Sequence, residues 1–250
     1  MESSVSKKTR IELLKMPVDI LHPDDLEETI KSMIQDNEVH QIVLLSLKDL
    51  ITARRNEELK ACIKQASLVL PISPGIIKGA KFLNKGIPLR YMPFDFVIRL
   101  LGILEQMGKS VYLLGSRPAW LQISESNLRT SFPGLKIVGR CSGYFQKAMK
   151  KDIVLAIKKA APTLLLAGKG LIGQNLWIYE HKKQFSPGIF LWCGDCYEIF
   201  SGRKKRISRE LWNKGLDFIP EFFKAPWRIF RLLLYLYYHL LLLVYKIQKL

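Results

Sequence analysis

Lys109–Gly115 reads KSVYLLG, and Ser116–Pro118 extends it as SRP. An apolar run of this length, closed by glycine and proline and followed by the helical pattern Ala119–Ser131, reads as a buried strand turning into a helix. The alternation continues on both sides. Gln41–Leu47 (QIVLLSL) and Ser67–Pro71 (SLVLP) are strands before it, with a helix over Asn56–Gln65 between them. Phe94–Met107 carries apolar residues at helical spacing. Leu135–Gly139 (LKIVG) and Thr163–Ala167 (TLLLA) are strands after it, separated by a helix over Lys147–Ala160, and Gly188–Cys193 is a sixth candidate. Strands rich in Val, Ile and Leu alternating with helices predict an α/β fold: a Rossmann-like, mostly parallel sheet flanked by helices. Ligands of such sheets bind beyond the carboxyl ends of the strands. The loops to watch therefore begin at Ser46, Pro71, Gly115, Gly139, Gly168 and Gly194.

The bulk numbers set the bounds. With 250 residues, 48% of them hydrophobic, the chain has enough apolar material for a core, and disorder is excluded as its main state. Lys+Arg number 39 against 22 Asp+Glu, a net charge of +17. Such a surface attracts phosphate-bearing partners: nucleic acid, anionic lipid or a nucleotide-linked substrate. Residues 201–250 hold 11 Lys+Arg and 3 Asp+Glu, so +8 of the +17 lies in the last fifth. No nucleic-acid recognition element is recognisable, and the charge collects beside an apolar tail, so a nucleic-acid partner is not expected. Four cysteines do not suggest a disulfide framework. Cys193 and Cys196 form a lone CxxC, read as two small, half-buried strand residues ahead of a zinc or redox pair. The polar stretch Met1–Arg10 lacks the apolar centre of a signal peptide, which points to the cytoplasm.

Composition changes near Ser201, dividing the chain into an α/β domain over 1–200 and a helical appendage over 201–250. Arg203–Arg209 (RKKRISR) is basic. The run Leu232–Tyr245 (LLLYLYYHLLLLVY) is 14 residues long. A spanning helix needs about 20 apolar residues. A helix lying in the headgroup region fits better, with leucines and aromatics in the acyl boundary and Arg and Lys on lipid phosphates. A core or oligomer-interface helix, or a true span, are the alternatives. A homo-oligomer is left open.

Several loops resemble one family in order. Val111–Pro118 (VYLLGSRP) and Phe132–Phe145 (FPGLKIVGRCSGYF) are similar to the "LLGgxP…yPxLxivGxxxGYF" stretch of the WecG/TagA/CpsF glycosyltransferases, glycosyltransferase family 26. Ala167–Ile178 (AGKGLIGQNLWI) resembles "alGxPkQExwi", Ser201–Arg206 (SGRKKR) "aGxxxRaP", Gly215–Phe218 (GLDF) "GLEW", and Ala225–Arg231 (APWRIFR) "EPxRlxR". The resemblance runs from about residue 40 to 231. It implies transfer of an N-acetylmannosamine-type sugar from a UDP donor to undecaprenyl-diphosphate-linked N-acetylglucosamine, at the inner face of the cell membrane, in polysaccharide synthesis, with no metal or cofactor.

The resemblance also assigns residues. Gly115, Pro118, Gly139, Gly143, Tyr144, Gly168 and Gln174 fall on the donor side. Arg90, Arg206, Arg228 and Arg231 are offered to a diphosphate or the acceptor. Ser46 stands where the family has Thr. For each a plainer reading exists: ordinary turns for the glycines, a solvated basic loop for Arg206, and a helix cap for Asp95. The departures are specific. The family's second strand ends in "PDGxGvv", whose aspartate is the favoured base; here Ile72 holds that position and cannot accept a proton. Lys48 replaces an Asn. Ile172, Gly173 and Asn175 replace Pro, Lys and Glu around Gln174. Asp195 and Glu198 sit where "GgxFD" has Gly and Asp. Asp95 and Glu198 are the candidate substitutes for the missing base, and a weakened family member that binds UDP-sugar or lipid as an assembly partner is the alternative function.

Overall fold

The computed structural model describes residues 8–216 and 231–248. It opens with an antiparallel hairpin, β1 (Thr9–Leu13) and β2 (Met16–Ile20), where the sequence suggested only a polar terminus. Leu14 and Lys15 form the two-residue turn with φ 50° and 66°, which matches the twist of the strands they join. Asp19, with no exposed surface, accepts from the Arg10 guanidinium at 2.7 and 2.8 Å and from the Val69 N–H at 2.7 Å. The hairpin is thereby tied to the border of the main sheet, shielding its edge.

After α1 (Leu26–Gln35) come β3 (Val39–Leu45), α2 (Leu47–Thr52), α3 (Glu57–Lys64), β4 (Leu68–Pro71), α4 (Pro74–Phe82) and α5 (Pro93–Gln106). Then follow β5 (Ser110–Leu114), α6 (Pro118–Ser131), β6 (Lys136–Cys141), α7 (Lys150–Ala160), β7 (Leu164–Ala167), α8 (Asn175–His181) and β8 (Gly188–Trp192). The short helices α9 (Cys196–Phe200) and α10 (Arg209–Asn213) precede α11 (Arg231–Ile247). All six expected strands form one parallel sheet in the order β4-β3-β8-β7-β5-β6. Side chains alternate between its faces. Ile42, Leu44, Val111 and Leu113 join the core under α1, α5 and α6, whereas Val43, Leu45, Tyr112 and Leu114 join the cores on the other face.

Several local expectations change. The first strand ends at Leu45, because Ser46 caps α2: its hydroxyl accepts from the Asp49 N–H at 3.1 Å. Gly139 lies inside β6, not at the head of a loop. A Cβ there would come within 2.5 Å of the Tyr112 ring, so its smallness serves packing. Cys193 and Cys196 are fully buried, one just beyond β8 and one opening α9, and neither is a strand residue. The hydrogen bond with Cys193 and burial push the Cys196 thiol well above its ordinary value, which leaves it unreactive.

Helix α11 lies along α4. The Tyr238 hydroxyl donates to the Gly75 carbonyl at 3.0 Å, Leu242 packs at Gly79, and Lys246 sits 4.1 Å over the Phe82 ring. The two helices therefore run in the same direction, and α11 begins near the carboxyl edge of the sheet. Its other face is bare: Leu233, Leu236, Leu240, Leu243, Val244 and Ile247 are all exposed. No helix among the described residues is long and apolar enough to cross a membrane.

Candidate functional site

The carboxyl ends of β5, β6, β7 and β8 are drawn together by backbone bonds. The Ser116 N–H donates to the Lys169 carbonyl at 2.6 Å, Gly143 N–H to the Ser116 carbonyl at 3.1 Å, and Lys169 N–H to the Gly194 carbonyl at 3.0 Å. Such approach excludes side chains. A Cβ on Gly143 would lie 2.8 Å from the Lys169 carbonyl oxygen, and one on Gly115 2.8 Å from the Gly168 nitrogen. Gly168 faces the buried Tyr197 ring, with 2.5 Å left for a Cβ. These glycines close the loops on one another and make room for Tyr197. Pro118 is the first residue of α6, where its missing N–H costs nothing.

At the centre of this knot Ser116, fully buried at φ 52°, donates to Glu198 Oε1 at 3.0 Å. Glu198 is 7% exposed, and its Oε2 is buried with no hydrogen-bond partner. A buried, half-satisfied carboxylate is costly for stability, which makes it a candidate for chemistry. Around the knot the exposed groups are Tyr144, Lys169, Gln174 and Arg117, whose guanidinium lies 5.8 Å from the Tyr144 ring. Tyr144 also covers Gly170, where a Cβ would meet the ring at 2.6 Å. Arg117 and Lys169 were passed over in the sequence although both stand inside the quoted motifs; only the fold shows Arg117 beside the Tyr144 ring and the Lys169 backbone bonded to Ser116 in the same knot. Asp195 links Lys204 at 2.7 Å and Lys169 at 3.6 Å. Burial raises its pKa, but the two ammonium groups outweigh this and hold the carboxyl below the usual range.

The other end of the edge, at β4, is arranged differently. Ile72 packs against the core, and its carbonyl accepts from Arg90 Nε at 2.8 Å. Arg90 also donates to the Trp212 carbonyl at 2.7 Å and stacks 3.5 Å over that indole ring. Asp95 does not cap α5: it makes no capping bond and instead pairs with Arg206 and, at 3.4 Å, with Arg209. The Ser46 hydroxyl is taken by its own helix, donating to Asp49 Oδ2 at 2.7 Å. Burial raises the Asp49 pKa against those Ser46 bonds. Arg90, Asp95, Arg99, Arg206 and Arg209 line a pocket of about 410 Å³ beside Trp212. Arg228 and the side chain of Arg231 lie outside the described residues.

The basic segment joins the two ends. Arg203 lies 5.2 Å from the Trp120 ring, Lys204 holds Asp195, and Arg206 and Arg209 hold Asp95. It is a strap along the edge whose Lys204, Arg206 and Arg209 are paired, while Arg203, Lys205, Arg206 and Arg209 stay exposed to solvent. Among the described residues no cluster of His, Cys, Asp and Glu could hold a metal ion.

The model of the glycosyl transferase WecG/TagA/CpsF family matches residues 11–250, nearly the whole chain. The chain belongs to that family. The match starts ahead of the motifs, within β1, and takes in the tail, so both the hairpin and α11 fall inside the family's extent. A relative from Bacillus subtilis (strain 168), the N-acetylglucosaminyldiphosphoundecaprenol N-acetyl-beta-D-mannosaminyltransferase, is 23% identical over 171 residues. That alignment covers 68% of this chain and 66% of the relative, just under two thirds of the relative's length. In this family member the base position of the resemblance, Ile72, is apolar, and the one described carboxylate of the edge with an unpartnered buried oxygen beyond Asp95's ion-paired group is Glu198.

Proposed function

We propose that this family member moves an N-acetylhexosamine-type sugar, N-acetylmannosamine-like, from a UDP donor to polyprenyl-diphosphate-linked N-acetylglucosamine in cell-surface polysaccharide synthesis. The observation that carries the reading is Glu198: a carboxylate held by Ser116 at the meeting of four strand ends, with its second oxygen unpaired. Glu198 takes the proton of the acceptor hydroxyl; that oxygen attacks the anomeric carbon as the bond to UDP breaks. The leaving diphosphate gathers negative charge, which the exposed cations Arg117 and Lys169 meet, while the Tyr144 ring offers a face for the base or ribose. Gln174 supplies an amide at the same surface. The Glu198 side chain is buried, and the strap over residues 201–209 runs on directly from its helix, the Lys204 N–H bonding the Glu198 backbone carbonyl at 2.8 Å. Admission of the acceptor therefore requires the strap to shift, and its own cations are the groups a lipid diphosphate would draw.

The membrane part of the proposal rests on α11. Its inner face is docked on α4, and its outer stripe of leucines suits the acyl boundary of an anionic membrane surface, with residues 201–250 acting as an appendage to the α/β domain of residues 1–200. Three strand spacings of about 4.8 Å separate β4 from β7, so the β4 end of the edge and the β7 loop lie about 15 Å apart, the span that a lipid-linked acceptor entering at the β4 end has to reach across. Labelled UDP-N-acetylhexosamine supplied to the full-length protein in vesicles carrying the polyprenyl-diphosphate acceptor should yield labelled lipid. Absence of product from every such donor overturns the reading.

One observation favours a second reading. Ile72 occupies the aspartate position and packs on the core, as expected of a weakened member that binds UDP-sugar without fast turnover. Calorimetry would then show donor binding without transfer, and Ile72→Asp would raise turnover.

A further inference from the structure

Gln174 stands in a backbone conformation that its residue type rarely adopts. Its φ is 51° and ψ −118°, and the Leu176 N–H closes onto the Gly173 carbonyl at 2.8 Å. Gly173 to Leu176 is thus a type II′ turn with glutamine at its second position, where glycine dominates because a Cβ is strained there. Glycine is available one residue earlier, yet the strained site holds the glutamine. A conformation of this kind persists only where the surroundings force it.

The forcing group comes from beneath. Gln41, on β3, has no exposed surface, and its Nε2 donates to the Asn175 carbonyl at 2.9 Å across 134 residues of sequence. The Cys62 thiol from α3 lies 3.5 Å from the same oxygen. Burial raises that thiol to about 11, so it is present as the neutral donor. Asn175 is the third residue of the turn, and fixing its carbonyl fixes the Asn175–Leu176 peptide, whose N–H closes the turn onto Gly173. Packing does not explain Gln41. Its Oε1 is buried without a partner, so an apolar residue would serve a core position better. What glutamine supplies there is its Nε2, bonded to the turn at 2.9 Å and lying 3.5 Å from the Cys62 sulfur.

We infer that Gln41 is a positioning residue: from inside the fold it clamps the strained turn that presents Gln174 to the nucleotide-sugar surface. The inference rests on the donor site proposed above, and its test separates the two. UDP binding to the full-length protein is measured by calorimetry, with amide exchange at Leu176 in the free protein and Tm alongside. Gln41→Leu should weaken UDP binding about tenfold and speed Leu176 exchange about tenfold, with Tm within about 2 °C of wild type. Gln174→Gly should raise Tm by about 2–4 °C while weakening UDP binding, since it relieves strain and removes the amide. In a Gln174→Ala background, Gln41→Leu should have no further effect on UDP. If Gln41→Leu lowers Tm and leaves UDP affinity and Leu176 exchange unchanged, Gln41 is a packing residue and the clamp is overturned. An equal loss of UDP affinity in the Gln174→Ala background overturns it too. If wild type binds neither UDP nor UDP-N-acetylglucosamine, the donor-site reading falls, and the clamp then stands or falls on Leu176 exchange alone.

Discussion

At the carboxyl end of β4 the polar groups face one another; at the ends of β5, β7 and β8 one of them does not. Asp95 is enclosed by Arg206 and Arg209, Arg90 is bonded to two carbonyls, and the Ser46 hydroxyl caps its own helix. Glu198, two strands' breadth and more away, has one oxygen bonded to Ser116 and one bonded to nothing. Both carboxylates sit on the same edge, beside the same basic strap. The difference teaches that proximity to the expected cleft does not identify a base. Asp95 is held in two ion pairs, whereas Glu198 keeps one buried oxygen unbonded, and that contrast is what favours Glu198 as the proposed base.

The sharpest way to break this contrast is to neutralise each carboxylate in turn. Glu198→Gln should lower the transfer rate by about 10²–10⁴-fold, the range for loss of a general base, and Asp95→Asn by less than tenfold. Rates measured with labelled donor decide it, and the reverse order would move the chemistry to the β4 end. A second contrast lies on α11, between the face docked on α4 and the bare one. Leu236→Asp with Leu240→Asp should reduce partitioning onto anionic vesicles by about 10²–10⁴-fold, since each buried leucine contributes about 1.5–3 kcal/mol, with Tm little changed because both side chains are largely exposed. Tyr238→Ala, on the docked face, should instead lower Tm. Third, the loops of the Glu198 end are closed by contact, so Gly143→Ala, which would place a Cβ 2.8 Å from a backbone oxygen, should cost about 1–3 kcal/mol in urea unfolding.

The smallest effect concerns acid. The Asp195 pKa lies below its unfolded value of 3.8, so its pairing stabilises the fold above that pH and the contribution disappears as pH falls through the lower folded value. Asp49 has the opposite sign: its raised pKa means that its charge opposes folding at neutral pH, and that cost fades as pH falls through the folded value. Lys204→Met should therefore flatten the loss of stability below pH 4 by under about 1 kcal/mol, because the pair is partly open to solvent. Urea unfolding of both proteins at several acidic pH values checks it, and an unchanged slope would show the pairing to be inconsequential.

Much of the architecture was legible in the chain. Apolar runs such as Val111–Leu114 and Leu164–Ala167 could only be buried strands, and the helical spacing between them required crossovers and a parallel sheet. The hairpin was not legible: Thr9–Ile20 is short and polar at its start, and it holds because Asp19 reaches a strand fifty residues on. The site was legible in position only. Gly115, Gly143 and Gly168 do mark strand-end loops, but their neighbours are one another and Tyr197, which no local pattern reveals. Asp95 looked like a cap because it opens a helix. Its true partners, Arg206 and Arg209, are more than a hundred residues away.

What the sequence determined by itself is the layering of the fold and its family, because hydrophobic periodicity and motif order are properties of neighbouring residues. What the tertiary structure alone decided is which polar groups are already bonded and which remain available. That depends on side chains from distant segments meeting in a space from which water is excluded, where one missing partner changes the cost of a charge by kilocalories.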